Sequence, residues 1–320
     1  MTFVHRDGEF QQLVQIVARS TGIAAALIEK DYWVTHTLWA VHRTGLDIWF
    51  KGGTSLSMGF GLIQRFSEDL DLMVERGTVT SLPLVTNWAS TNKGPAAERR
   101  AFHDALAAAF AIPDVIVEQD MTRIDKQARG ADYLARYPGA RLAELGPTMS
   151  PFVRLEVGRA RVVPHVQKSL GSFVHAHLEQ QGLLGDFVDN RPAGVRCVHP
   201  MVTLFEKLDA MSRRYGRDEV DPDRFVRHYE DAVQIIRAED RLPAMEVTAL
   251  TLARDMLAGK DIVALPSPDE PALVLAEPDK RAAVDNAYAK IAPMFWGPRI
   301  PLDQACDTIR TWIANLHRRG

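Results

Sequence analysis

Apolar positions recur along this chain at two periods, and the switch between them divides it. In IAAALIEKDYWVTHTLWAV (23–41), Ile23, Leu27, Ile28, Tyr32, Leu38 and Val41 keep helical spacing, so residues 9–43 are predicted to be helices. Gly45 breaks that run. LDIWF (46–50) then reads as a short buried strand, and KGGTSLSMGFG (51–61) as a turn leading into a short helix. In DLDLMV (69–74) polar and apolar residues alternate, the pattern of a half-buried strand. GTVTSLPLVTNWASTNKGP (77–95) is loop by composition, and ERRAFHDALAAAF (98–110) is a helix. DVIVEQD (114–120), ADYLARYPG (131–139) and PFVRLEVG (151–158) read as further strands, Arg154 and Glu156 alternating with Val153, Leu155 and Val157.

Beyond VVPHV the pattern weakens into a loop-like region containing GLLGDFVDNRPAG (182–194). Helical spacing returns in MVTLFEKLDAMSRR (201–214) and DRFVRHYEDAVQIIRA (223–238). The remainder is mostly helical, interrupted by LPSPDEPALVLAEPD (265–279), which its prolines mark as a surface excursion. Helix, mixed sheet and then helices predict an α+β fold. A catalytic-type domain would occupy residues 1–165, and a mainly helical domain 166–320.

Composition narrows the class. The 320 residues are 46% apolar and 25% charged, as in a globular protein with a substantial core. A net charge of −3 gives no global basic field of the kind that advertises nucleic-acid binding, though a local patch is compatible with it. Two distant cysteines, Cys197 and Cys306, support neither a disulfide framework nor a cysteine zinc site. MTFVHRDGEF lacks a basic region followed by an apolar one, and no apolar run reaches membrane-spanning length. The expectation is a cytoplasmic protein with no membrane partner.

The chemistry concentrates in FKGGTSLSMGFGLIQRFSEDLDLMV (50–74). Aspartates at i and i+2 of a strand project from one face, and two carboxylates there repel unless a cation joins them. Oxygen donors of this kind suit Mg²⁺ or Mn²⁺ together with substrate phosphates. A Gly-Gly-Thr-Ser turn opening a helix offers backbone N–H groups and hydroxyls to phosphate. Each element alone is weak: DxD is common, Gly-Gly is only a turn, and there is no GxxxxGK[ST]. Strand, turn, short helix and DxD strand in succession point to phosphoryl or nucleotidyl transfer.

That succession resembles the nucleotidyltransferase superfamily. EKDYWVTHTL (29–38), FKGGTSLS (50–57), RFSEDLDL (65–72), EKLDAM (206–211) and RFVRHYEDAVQI (224–235) resemble, in order, the signatures of the AbiEii/AbiGii-type toxins, the group that includes MenT-type toxins. The resemblance implies a mixed-sheet nucleotidyltransferase domain followed by a helical one. It implies a phosphate-binding turn at Gly52, Gly53, Thr54 and Ser55, and metal ligands at Asp69 and Asp71. Glu156 would be a third carboxylate, completing the metal site and acting as base; its other reading is a strand residue paired with Arg154 or a neighbour. Lys207 would contact nucleotide phosphates, or else be a solvated helix lysine. Asp231 would serve nucleotide binding, or else pair with Arg227 one turn earlier. His228 would orient, pack or bind phosphate. Lys51 and Arg65 would hold a triphosphate or nucleic-acid backbone, or balance charge. Lys30 and Asp31 would form a structural ion pair beneath the site.

The implied reaction is two-metal-assisted transfer of NMP from a nucleoside triphosphate, with Mg²⁺ or Mn²⁺ as cofactor. The implied acceptor is RNA, the 3′ end of tRNA first, and the implied partner a separately encoded antitoxin. Arg213, Arg214 and Arg217 would add an RNA-binding surface, or simply end a helix. Two other classes stay open: transfer to a small molecule such as an aminoglycoside, and a nucleotide- or RNA-binding module without turnover.

Overall fold

The structure, a computed structural model, describes residues 1–124, 126–146 and 149–318. The chain forms two compact units that interleave in sequence. The first comprises Met1–Gly59, Ser67–Ala160 and Gln167–Cys197, and the second Phe60–Phe66, Arg161–Val166 and Val198–Gly320.

The first unit opens with α1 (Phe10–Thr21) and α2 (Ala25–His42). Gly22 stops α1 by taking the left-handed conformation, φ 73°, that a side chain would resist. In α2 the burial extends around the whole helix from Ile28 to Leu38, taking in Glu29, Lys30, Asp31, Thr35, His36 and Thr37. A buried helix with polar residues must satisfy each of them internally. His36 illustrates the solution: its ring nitrogens meet the Pro113 carbonyl at 3.0 Å and the Asn190 amide at 2.9 Å.

The strands are β1 (Asp47–Lys51), β2 (Asp69–Glu75), β3 (Ile116–Gln119), β4 (Gly130–Arg136), β5 (Val153–Gly158), β6 (His165–Lys168) and β7 (Val195–Val198), in the sheet order β3-β4-β5-β2-β1-β7-β6. β2 runs antiparallel to β1 and parallel to β5, and β4 antiparallel to β5 and β3. The helical turn α3 (Gly52–Thr54) continues into a wider π turn, Ser55–Gly59, and α4 (Lys93–Ala109) lies between β2 and β3 in sequence. The mixed sheet and helical C-terminal region are those expected of an α+β nucleotidyltransferase fold.

The loop-like reading of the residues beyond VVPHV holds for 182–194, which contain only the 3-10 turn Leu184–Asp186, and is corrected on either side of them. The flanking segments contain β6, the helix α5 (Phe173–Gln180) and β7, which pairs in parallel with β1 through Trp49 with Arg196 and Phe50 with Cys197. α5 begins at a capping box that ends in histidine: Ser172 accepts from the His175 backbone N–H, and the His175 ring accepts from Ser172 N–H.

The second unit holds α6 (Pro200–Tyr215), α7 (Arg227–Arg237), α8 (Ala249–Ala258), α9 (Pro271–Val274), α10 (Pro278–Lys290) and α11 (Leu302–Arg318). Residues 223–226 fall outside α7, because Pro222–Arg224 forms a separate 3-10 turn. The excursion at 265–279 is partly buried: α9 places Ala272 and Leu273 in the interior, and the Tyr229 hydroxyl donates to the Ala272 carbonyl at 2.6 Å. The Phe60–Phe66 segment joins this unit through a bridge between Arg65 and Phe295, with Phe66 N–H donating to Met294 O at 2.8 Å. Among the described residues no helix is long and apolar enough to cross a membrane.

Candidate active site

Strand register assembles the carboxylates of the first unit. Lys51 is opposite Asp71, Asp71 opposite Glu156, and Glu156 opposite Asp132, so one row crosses β1, β2, β5 and β4. Residues directly opposite in a sheet share a face. Asp69, two positions before Asp71, joins the same face beside Arg154. The alternation expected of β2 holds, with Leu70 and Leu72 buried and Asp69 and Asp71 half-buried.

The electrostatics follow from this crowding. Burial, and then the charges of Asp71, Asp69 and Asp132, push the Glu156 carboxyl up to about 8 against the pull of Arg123. Arg123 N–H donates to Asp132 at 2.8 Å and stands 3.5 Å from Glu156. Arg154 does not pair with Glu156; it bonds Asp120 at 3.0 Å and Asp132 at 3.1 Å. Lys51, Asp71, Arg123, Asp132, Glu156 and Arg159 line an open cleft of about 380 Å³ in this unit.

The turn after β1 is fitted to Asp71. Gly52 has φ +75°, and a Cβ there would sit 1.8 Å from Asp71 Oδ2, so only glycine lets the backbone approach so closely. Gly53 and Thr54 are buried, and the Thr54 hydroxyl donates to the carbonyls of Asp69 at 2.6 Å and Ser67 at 3.1 Å. That hydroxyl ties the turn to the start of β2. Ser55 Oγ is buried without an oxygen or nitrogen partner and lies against the Cys197 thiol, which burial pushes up to about 11.

Beneath β2, Lys30 is buried and donates to Glu68 and, at 2.5 Å, to the Ser150 carbonyl. Glu68 also accepts from Ser150 N–H at 2.8 Å. Burial lowers the Lys30 pKa, opposed by Glu68 and by Asp69. The expected Lys30–Asp31 pair is not formed. Asp31 lies on another side of α2 and accepts from Phe173 N–H at 2.8 Å, its carboxyl pushed up to about 7 by burial.

In the second unit, Arg65, Lys207 and Asp231 form a buried triad. Arg65 grips Asp231 with two bonds of 2.7 Å, and Lys207 Nζ donates to it at 2.8 Å. Burial opposes the charge on Asp231, but the Arg65 and Lys207 charges and hydrogen bonds outweigh it and hold the carboxyl far below the usual range. The Asp231–Arg227 pair is not the one formed, since α7 turns Asp231 inward. Lys207 is buried rather than solvated, and its Nζ stands 3.4 Å from His228 Nδ1. Burial, then Lys207, holds the His228 pKa well below its ordinary value, so the ring is neutral. Arg213 bonds Asp209 at 2.6 Å, and Arg214 donates to the Arg224 carbonyl.

Asp120, Arg123 and Asp132 belong to the carboxylate face but were missed in the sequence. The alternation of Asp132, Leu134 and Arg136 against buried Ala131, Tyr133 and Ala135 carried a signal for Asp132. Asp120 and Arg123 flank the β3–β4 hairpin and had none.

The donor set suits a hard divalent cation: carboxylate oxygens on one face, with Glu156 protonated more readily because of its burial and then the charges of its neighbours. Among the described residues, however, no three His, Cys, Asp or Glu side chains converge closely enough to enclose a metal. Asp69, Asp71 and Glu156 would have to draw together around it. The family model described as nucleotidyl transferase AbiEii toxin, Type IV TA system, matches residues 40–310. No curated protein matches the chain.

Proposed function

Because the chain belongs to the AbiEii nucleotidyl transferase toxin family, we propose that it is a metal-dependent enzyme transferring NMP from a nucleoside triphosphate to RNA, with the 3′ end of tRNA as acceptor. The observation that carries this reading is the register of Asp71 with Glu156, with Asp69 on the same face and Gly52 packed against Asp71. Asp69, Asp71 and Glu156 are the residues that would hold Mg²⁺ or Mn²⁺. When bound, the metal supplies neutralisation of phosphate charge during transfer.

The chain's own groups account for the remaining work. Gly52 and Gly53 would offer the turn's backbone to the phosphates, with Thr54 anchoring it and the Ser55 hydroxyl buried behind it. Lys51 and the cleft cations offset the nucleotide's charge. Glu156 takes the proton from the acceptor hydroxyl, whose oxygen bonds to the α-phosphorus as the bond to the β-phosphate oxygen breaks and pyrophosphate leaves. In the second unit Asp231 and Arg65 hold Lys207 beside His228. A cognate antitoxin is the proposed protein partner.

The acceptor is tested by incubating the protein with each labelled nucleoside triphosphate, Mg²⁺, total RNA and an aminoglycoside. Label on RNA in the tRNA size range supports the reading. Label on the aminoglycoside alone, or none on any acceptor, overturns it.

A further inference from the structure

Among the cations on the carboxylate face, Arg123 reaches Glu156 directly, at 3.5 Å. It follows β3 in the hairpin to β4, so it is carried by a loop and not by a strand. Its guanidinium bonds Asp132 and stands beside Glu156, and it also lies within electrostatic reach of Asp69. Three of the carboxylates on this face therefore share one arginine. Its side chain is 49% exposed, against 15% for Arg154, which lies on β5 and is fixed between two aspartates. Arg154 is built in, whereas Arg123 is held by exposed ion pairs of the kind that contribute little and break readily.

A divalent cation at Glu156 repels the Arg123 guanidinium 3.5 Å away and takes up the carboxylate charge that holds it, so the two compete. The planar, permanently charged guanidinium is also well matched to phosphate, which it can bond through two parallel N–H groups. We propose that Arg123 is an exchangeable counterion: it neutralises Glu156 and Asp132 until a divalent cation replaces it, and it then transfers to the departing phosphates of the nucleoside triphosphate. This rests on the nucleotidyltransferase reading above and adds to it a residue that links metal entry to triphosphate binding. The exchange is between ion pairs, and no covalent bond changes in it.

The two halves of the exchange predict effects of opposite sign from one substitution. Mn²⁺ binding to the full chain without nucleotide is measured by electron paramagnetic resonance for the wild type, Arg123→Ala and Arg123→Lys. Losing a weak competitor should tighten Mn²⁺ binding by roughly threefold in Arg123→Ala. Losing a charge-assisted phosphate contact should raise the Kd for the triphosphate, measured by isothermal titration calorimetry, by about tenfold or more. Arg123→Lys should fall between, since it keeps the charge but not the fork. Equal or weaker Mn²⁺ binding in Arg123→Ala overturns the exchange, as does an unchanged triphosphate Kd. If the wild type binds Mn²⁺ and triphosphate but transfers no NMP, the nucleotidyltransferase reading fails while the exchange is judged on the two binding constants. Thermal unfolding should be unchanged across the three proteins, which separates a structural defect from the predicted effects.

Discussion

The buried triad of the second unit separates a structural role for Asp231 from a ligand-binding one. Asp231→Asn keeps the side chain's shape but removes its charge. Arg65 and Lys207, exposed by only 2% and 7%, would then be buried cations without their shared counterion. Breaking a buried ion pair from one side costs about 3–5 kcal/mol. Domains are stable by only about 5–15 kcal/mol in all, so a large part of this unit's stability is at stake. At about 2–4 °C per kcal/mol, the melting temperature should drop by roughly 6–20 °C. Urea unfolding at pH 7, followed by circular dichroism and by tryptophan fluorescence, measures the loss. Replacing all three partners together, as Arg65→Met, Lys207→Met and Asp231→Leu, should recover most of it, because an apolar set leaves no charge uncompensated. The native Asp231 pKa lies below its unfolded value, so its stabilisation is fully present above about pH 4 and is lost as the pH falls below that. An Asp231→Asn variant within about 1 kcal/mol of the wild type, the scale of one ordinary hydrogen bond, would refute the reasoning. Asp231 would then act on a ligand and not on the fold.

Two further perturbations probe the first unit. Gly52→Ala places a methyl group against Asp71 in a backbone conformation that disfavours side chains, so transfer activity should fall by about a hundredfold through misplacement of the carboxylate; near-normal kcat would contradict the close approach. His36, pulled down to about 4 by burial against the pull of its hydrogen bond to the Pro113 carbonyl, is neutral in the folded protein, whereas the unfolded chain binds a proton below about 6.5. Stability should therefore fall as pH drops from about 6.5 to 4, by about 3 kcal/mol from this residue, and His36→Gln should flatten the dependence of the urea midpoint on pH over that window.

Local pattern explains which parts were legible. β1, the turn and β2 are contiguous, and the alternation of DLDLMV declared both the strand and the face of its aspartates. β7 gave no such signal: VRCV is four residues long and three of them are buried, too short to show a period. Its place beside β1 is set by pairing across more than a hundred residues. The same limit hid the partners of the charged groups. Arg65 and Asp231 are 166 positions apart, so helical spacing points to Arg227 as the partner, whereas α7 buries Asp231 against Arg65. Glu156 was placed among the carboxylates by resemblance, and its register opposite Asp71 came only with the sheet. Lys30 and Asp31 are neighbours in sequence but project from different sides of α2, which is why each found a distant partner.

On the proposed function, the Asp69–Asp71–Glu156 face transfers a nucleotide to RNA. The most direct test supplies purified tRNA and triphosphates labelled at the α-phosphate to the wild type and to Asp71→Ala, with circular dichroism confirming that both are folded. Label should appear at the tRNA 3′ end with the wild type and not with Asp71→Ala. Equal labelling by a folded Asp71→Ala would contradict the proposed function.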